Sequence, residues 1–167
     1  PTNCKDATIT VTVDPTPIVA TDDVFGGVNG ATGNANVGNA FLADTVNGAP
    51  ATTVNSTLAV NTPATPLVPG APVPSMNPAD GVVSVPPGTP AGTYTIGYKL
   101  CEKLNPTNCK DATITVNVIA APIDAKDDTY TAVNGATGNA NVGNVVTGAG
   151  TGSVADTLNG APTTLAN

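Results

Sequence analysis

Paired acidic residues are the side chains in this sequence best suited to chemistry, and binding of a hard cation is the chemistry that they suit. Asp22-Asp23 and Asp127-Asp128 each follow a short stretch that contains proline. Proteins bind Ca²⁺ through carboxylate and carbonyl oxygens, so we predict these four aspartates as calcium ligands that fix the angle between domains. No dense Asp-x-Asp-x-Asp loop accompanies them. The alternative is that they are solvated carboxylates that keep strand edges soluble.

Catalysis by proton transfer or covalent attack has little support in the sequence. The chain contains no histidine and a single glutamate, Glu102, whereas these mechanisms need an activating base close to the reacting group. Asp22 and Asp23 are neighbours in a predicted strand and therefore point to opposite faces, so they cannot form the paired carboxylates of a glycosidase. We predict that the protein is not an enzyme and requires no cofactor, with calcium as its one candidate ion.

The composition is typical of a β-rich surface protein. Of 167 residues, 18 are glycine, 16 are proline and only 10% are charged, which is well below the share in cytosolic enzymes. The net charge is −7 and all five basic residues are lysines, so binding to nucleic-acid phosphates is not expected. No apolar run approaches the length that spans a membrane. Because no leader is visible and the sequence opens at Pro1, we expect a larger parent protein.

The elements that must position these side chains are strands, and the clearest pair forms a hairpin. Apolar residues occupy every second position of Gly92–Leu100 and of Lys110–Val118, as in strands with one buried face. If Cys101 lies opposite Cys109, antiparallel pairing places the apolar residues on one face and an opposite-charge pair on the other. We therefore predict a disulfide here, worth roughly 2–3 kcal/mol in the chain-entropy model, and an oxidising, extracellular compartment.

The sequence also contains an internal repeat. Three pairs of segments are identical or nearly so: 1–11 with 106–116, 28–39 with 133–144, and 44–50 with 156–162. The first two pairs are offset by 105 residues and the third by 112, so the later copy has about seven extra residues around 145–155. A period of this length fits a small domain rather than a solenoid turn.

This repeat defines the domain organisation that we predict. Residues 1–16 would be the C-terminal strand of a preceding repeat, residues 17–121 a complete repeat, and residues 122–167 the N-terminal part of the next. Cys4 is then the counterpart of Cys109, and its partner would precede residue 1. A free reactive thiol is the alternative.

Six short strands are predicted within the complete repeat, with turn signals between them. They are Ile18–Phe25, Ala40–Leu42, Thr52–Val60, Val82–Val85, Gly92–Leu100 and Lys110–Val118. The segment Asn61–Pro78 contains six prolines and is predicted as an extended connection or an edge strand. Since no helical period is visible, we predict an all-β immunoglobulin-like sandwich, in tandem repeats of about 105–112 residues.

Two stretches resemble a known family. GTPAGTYTIGYKLCEKLNPTNCKDATITV (88–116) and PIDAKDDTYTAVNGATG (122–138) are similar to the tandem immunoglobulin-like repeats of giant bacterial surface proteins, which are common among Bacteroidetes-type cell-surface proteins and adhesins. Two departures weaken any metal site inferred from the family, because no Asn precedes Asp44 and Ala79 is inserted before Asp80. The resemblance implies an extracellular stalk or filament of stacked domains at a bacterial cell surface.

The resemblance also implies two candidate modification sites. Asp44-Thr45-Val46 and Asp156-Thr157-Leu158 resemble the Asp-Ser/Thr-aliphatic O-glycosylation signal of Bacteroidetes, with Thr45 and Thr157 as acceptors. Three-residue motifs also arise by chance.

Two functions remain open on the sequence alone. The first is a structural repeat of a surface fibre or adhesin stalk, whose partners are neighbouring identical repeats or subunits; the near-identity of the copies favours it. In a non-covalent variant, Lys5–Val13 completes the sandwich of a neighbouring molecule. The second is a binding module for a glycan, a host surface or ice. A threonine-rich outer face (Thr95, Thr113, Thr115) favours this module, whereas the scarcity of aromatic residues, 3% of the chain, disfavours sugar stacking.

Overall fold

The computed structural model describes residues 2–130, 133–149 and 154–164. These residues form strands, turns and irregular segments, which confirms the all-β class. Within these ranges no helix is long and apolar enough to cross a membrane. Position 1, the last three residues of the predicted third segment, and residues 150–153 of the predicted insertion lie outside the described residues.

The largest sheet has four strands in the order β2-β10-β9-β6. These are β2 (Asp23–Asn29), β6 (Ser56–Thr62), β9 (Gly92–Glu102) and β10 (Cys109–Ile119). β10 pairs antiparallel with β9 and parallel with β2, while β6 pairs antiparallel with β9. The hairpin that the sequence predicts therefore forms the centre of this sheet.

Two small sheets pack against the inner face of the large sheet. One has the order β1-β4-β5 and the other the order β3-β8-β7. Their strands are β1 (Ile18–Val19), β3 (Asn34–Asn39), β4 (Thr45–Val46), β5 (Ala49–Pro50), β7 (Ser75–Met76) and β8 (Val82–Val85). This immunoglobulin-like β-sandwich confirms the predicted fold class.

A third small sheet lies after the sandwich in the chain. It has the order β11-β12-β13, formed by β11 (Ile123–Asp124), β12 (Thr157–Leu158) and β13 (Ala161–Pro162). Its strands are the sequence counterparts of β1, β4 and β5.

The core is built from alternate positions of the central hairpin, as the sequence predicts. Burial of these side chains between the sheets is the main source of stability, at about 25 cal/mol per Å² of apolar surface removed from water. The large buried side chains of the hairpin are Tyr94, Ile96, Tyr98, Leu100, Ile114, Val116 and Val118, and those that face them include Met76, Val83 and Val85.

The predicted register of the hairpin is confirmed over its whole length, from Cys101 opposite Cys109 to Tyr94 opposite Val116. On the outer face, Lys99 Nζ lies 3.0 Å from Asp111 Oδ1, with both side chains exposed. An exposed pair of this kind contributes at most about 1 kcal/mol.

Other strand predictions were wrong, for local reasons. Ala40–Leu42 forms a turn, because the Asn39 side chain accepts a hydrogen bond from Phe41 N–H (2.9 Å) and donates one to the Asp80 carbonyl (2.8 Å). The strand before it, β3, was missed, since Asn, Ala and Gly have low strand propensity and the strand depends on pairing with β8.

The predicted strand Ile18–Phe25 is interrupted, because β1 and β2 belong to different sheets. The predicted strand Thr52–Val60 begins only at Ser56, after a turn in which Asn55 Oδ1 accepts a hydrogen bond from Thr52 N–H (2.8 Å). The proline-rich segment Asn61–Pro78 is mostly irregular and supplies the edge strand β7.

Candidate functional site

One end of the sandwich, which we call the proximal end, receives the chain at Thr16 and is closed by the β9–β10 hairpin. The Cys101–Cys109 disulfide joins the two strands at this end. Cys4 is free and exposed, and its pairing with a cysteine before residue 1 stays a prediction. The opposite, distal end holds Ile119, the last residue of β10, beside Asn29, the last residue of β2.

Glu102 fixes the incoming chain to the proximal end. It is 4% exposed, and its carboxylate accepts hydrogen bonds from the Thr16 N–H (3.3 Å) and hydroxyl (2.7 Å). It also accepts bonds from the side-chain amides of Asn105 (3.0 Å) and Asn108 (2.8 Å). Hydrogen bonds from Asn108 and Thr16 stabilise the ionised form and lower the pKa of Glu102 to about 2. Because Asn108 also donates to the Thr16 carbonyl (2.7 Å), both the N–H and the carbonyl group of Thr16 are held by hydrogen bonds.

A buried polar cluster lies deeper in the same half of the sandwich. Asp44 is 1% exposed; its Oδ1 accepts a bond from Thr21 N–H (2.7 Å) and its Oδ2 one from the Tyr98 hydroxyl (2.9 Å). Burial raises the pKa of Asp44, and the bonds from Thr21 and Tyr98 oppose that rise. Burial and the nearby Asp44 charge also raise the pKa of Tyr98, so its hydroxyl stays a donor. This cluster connects β4 to the central strand β9.

Asp23 is the side chain of this region whose polar groups are least satisfied. It is 5% exposed, and in the described part of the chain its Oδ2 has no hydrogen-bond partner. Burial, followed by the charges of Asp44 and Asp22, raises the pKa of Asp23 to about 7. A buried carboxylate oxygen without a partner makes the ionised form costly, so Asp23 favours its protonated form below about pH 7.

The structure does not bring the four predicted calcium ligands together. Asp22 lies outside, where its Oδ1 accepts a bond from Thr113 N–H (2.8 Å), whereas Asp23 points into the sandwich. In the later copy, Asp127 is exposed and Asp128 Oδ1 accepts a bond from Val154 N–H (2.7 Å). No group of three or more carboxylate, thiolate or imidazole side chains among the described residues is placed to hold a metal ion. Calcium binding by these four aspartates stays a prediction.

The two predicted glycosylation acceptors lie at equivalent places in the fold. Thr45 in β4 and Thr157 in β12 are half-buried and pair with Val19 and Asp124 respectively. Asp44, which precedes Thr45 in the motif, is buried and already hydrogen-bonded. Glycosylation of these threonines stays a prediction.

The β11-β12-β13 sheet reproduces the β1-β4-β5 sheet of the sandwich in detail. Thr21 N–H donates to Asp44 Oδ1 at 2.7 Å, and its counterpart Lys126 N–H donates to Asp156 Oδ1 at 2.8 Å. The tight turns after β4 and after β12 are also the same. Asn47 and Asn159 both have φ of +54° and donate their N–H to the carbonyls of Pro17 and Pro122, each at 2.8 Å.

The distal end of the sandwich touches this second copy directly. Asn29 Nδ2 donates to Asn159 Oδ1 at 2.8 Å. Asn29 is held in place because its Oδ1 accepts a bond from Ala31 N–H (3.0 Å) and because Gly30 N–H donates to the Ile119 carbonyl (2.9 Å). A polar contact thus joins the end of one copy to the β12–β13 turn of the next.

A groove of about 420 Å³ lies at the proximal end beside the equivalent turn. Its lining includes Val46, Asn47, Ala49, Val54 and Leu104. Val54 and Leu104 are large apolar side chains that are 82% and 88% exposed. Exposed apolar side chains next to a groove are typical of an interaction surface.

Sequence reasoning missed three of these features. The sequence singles out Glu102 only as the one glutamate, although its position inside the cysteine-bounded loop is a signal of structural use. Asp23 was expected at a junction rather than in the interior. No signal in the sequence points to the contact between Asn29 and Asn159, because it depends on how successive copies are placed.

Comparisons with known proteins give similarity of fold at most. No family model matches the chain, and no curated protein matches it either. Among solved structures, the human desmocollin-1 ectodomain is 15% identical with a TM-score of 0.45, covering 70% of this chain and 22% of that one. The extracellular cadherin domains 1–5 of protocadherin gamma B2 are 13% identical with a TM-score of 0.44, covering 74% and 23%. The chain thus spans less than a quarter of the length of either, and these scores are too low to indicate a shared function.

Proposed function

We propose that this chain is a structural repeat of an extracellular fibre or adhesin stalk on a bacterial surface. Immunoglobulin-like domains, of which residues 17–121 form one, stack end to end and give the fibre reach and stiffness. Residues 1–16 close the preceding domain and residues 122–167 open the next. The partners of each repeat are its identical neighbours, and no catalytic chemistry is required.

The observation that carries this proposal is that the sheet β11-β12-β13 repeats the sheet β1-β4-β5. β1 and β4 pair Ile18 with Val46 and Val19 with Thr45. β11 and β12 repeat that register at the next positions of the internal repeat, pairing Ile123 with Leu158. Because the same local structure begins again immediately after β10, the natural continuation is another sandwich of the same kind.

The direction of the chain supports an extended rather than a compact arrangement. The chain enters at Thr16, beside the Cys101–Cys109 end of the hairpin, and leaves after Ile119 at the other end of β10. A strand of this length, 11 residues, spans roughly 35 Å at about 3.3 Å per residue. Each repeat therefore adds about one strand length to the fibre.

The burial of the hairpin tyrosines disfavours the alternative of a glycan-binding module. Tyr94 and Tyr98 are 2% and 0% exposed, so neither can stack on a sugar ring. The threonines of the outer face do not form one fully exposed surface, because Thr113 and Thr115 are half-buried beside β2.

Small-angle X-ray scattering of chains with one, two and four consecutive repeats tests the proposal. We expect the maximum dimension to grow in proportion to repeat number, by roughly 35–40 Å per repeat. Growth with the cube root of repeat number, as in a compact particle, would contradict it. The mass of the native chain then separates a covalent array from subunits joined by exchange of the Lys5–Val13 strand.

A further inference from the structure

We propose that the groove at the proximal end is an acceptor surface for the preceding repeat, and that its occupant is a second copy of the distal end, centred on Asn29. The inference rests on the proposed function, because it specifies how consecutive repeats touch. The acceptor surface is defined by Val46, Asn47, Ala49, Val54 and Leu104.

The first step of the argument is the contact already present in the chain. Asn29, at the distal end of the complete repeat, donates a hydrogen bond to Asn159 of the following copy. Asn47 is the counterpart of Asn159 in sequence, and it has the same φ and the same N–H bond to a proline carbonyl. The Asn47 turn of each repeat is therefore the place where the Asn29 of the repeat before it arrives.

The second step is the length of the connection. Asp14 is the counterpart of Ile119, the last residue of β10, in the repeat of 105 residues. Pro15 alone separates it from Thr16, which lines the groove and is bound to Glu102. Two residues span at most roughly 7 Å, so the distal end of a preceding sandwich lies next to the groove whatever the angle between the domains.

The third step is the chemistry of the groove. Val54 and Leu104 offer apolar surface at its rim, and Asn47 offers an amide that can pair with the Asn29 amide. The rim is held in place because Lys103 donates from its N–H to the Asn55 carbonyl (3.0 Å) and from its Nζ to the Thr53 carbonyl (2.8 Å). Since the tether raises the local concentration of the partner, a small interface is enough for docking.

The test extends the 167-residue chain at its N-terminus by a copy of residues 17–105, so that Pro1 takes the place of Pro106. The probe is the methyl group of Ala49, which is exposed and lines the groove. Its relaxation by a soluble gadolinium chelate is measured by NMR in the original chain and in the extended chain. We expect the relaxation to fall several-fold on extension, because the preceding distal end covers the groove.

Paired variants decide whether the groove causes that protection. Val54→Asp with Leu104→Asp, in the second complete repeat of the extended chain, is expected to restore the relaxation of Ala49. Val24→Asp is the control, at a position that is 69% exposed on β2, and is expected to leave it low. Circular dichroism confirms that each variant is folded.

Equal relaxation of Ala49 with and without the preceding repeat would overturn the inference, as would equal effects of the groove variants and the control. If scattering still shows an extended particle in that case, the fibre stands and only this interface fails. A compact particle would instead refute the proposed function.

Discussion

Replacement of Asp23 by asparagine tests the buried polar cluster. The substitution is expected to raise the stability of the protein at pH 8, not to lower it. Asp23 is 5% exposed, and burial, Asp44 and Asp22 raise its pKa to about 7 from the ordinary value of 3.8. Since the folded state holds this proton more tightly than the unfolded state does, the contribution of Asp23 to stability is fully present below pH 3.8. It is lost progressively as the pH rises towards about 7.

The size of the effect follows from the difference between the two pKa values. About 3 units at 1.36 kcal/mol per unit correspond to at most roughly 4 kcal/mol of unfolding free energy between pH 3 and pH 8. Asparagine has nearly the same shape as aspartate and carries no charge at any pH. We therefore expect Asp23→Asn to be more stable than the original chain at pH 8 and similar to it near pH 4.

The assay is urea unfolding of both chains at several pH values between 4 and 8 in the presence of EDTA, followed by circular dichroism. Asp22→Asn is the matched control: it removes an exposed neighbouring carboxylate that is the smallest of the three contributions to the raised pKa of Asp23, so most of the original slope with pH should remain. The reasoning is refuted if Asp23→Asn is less stable at pH 8 or keeps the original slope. If added Ca²⁺ stabilises the original chain but not Asp23→Asn, Asp23 is a calcium ligand, as the sequence predicts.

Three further substitutions test the contacts around the hairpin. Cys101 and Cys109 are eight residues apart. Replacing both by serine should lower the unfolding free energy by roughly 2–3 kcal/mol in oxidising buffer. An equal loss in reducing buffer would contradict the contribution assigned to the disulfide. Tyr98→Phe removes the hydroxyl that donates to Asp44 and should cost about 1–3 kcal/mol in urea, because a buried carboxylate oxygen loses its partner; an unchanged midpoint would argue against the bond. Glu102 has a folded pKa of about 2 against 4.5, so its contribution is present above pH 4.5 and lost towards pH 2. Acid titration followed by circular dichroism should therefore show a smaller loss of stability in Glu102→Gln, and identical acid slopes would refute the assignment.

The central hairpin was predictable because one assumption satisfied two independent patterns. Pairing Cys101 with Cys109 placed the apolar positions of both strands on one face and set Lys99 opposite Asp111, and the structure has this register. A shift of one residue moves every side chain to the other face, so the pattern leaves little freedom. The repeat in the sequence likewise predicted that local structure would recur after Ile119.

The remaining features were not predictable because they depend on contacts distant in sequence. β3 consists mostly of residues with low strand propensity and forms through pairing with β8. Asp23 lies in the interior, close enough for the Asp44 charge to act on it, although the sequence shows only two adjacent aspartates. The contact of Asn29 with Asn159 joins positions 130 residues apart.

The parallel pairing of β2 with β10 has a mechanical consequence for a molecule held at both ends. Tension arrives at the Asp23 end of β2 and leaves at the Ile119 end of β10, so it pulls the two neighbouring strands in opposite directions along their length. Their hydrogen bonds, from Asp23 beside Ile114 to Asn29 beside Ile119, are then sheared together instead of opening one at a time like a zipper. Single-molecule pulling through the two termini should therefore meet a higher unfolding force than pulling through points on β6 and β9, which would peel β6 from the sheet edge, and equal forces would contradict this geometry.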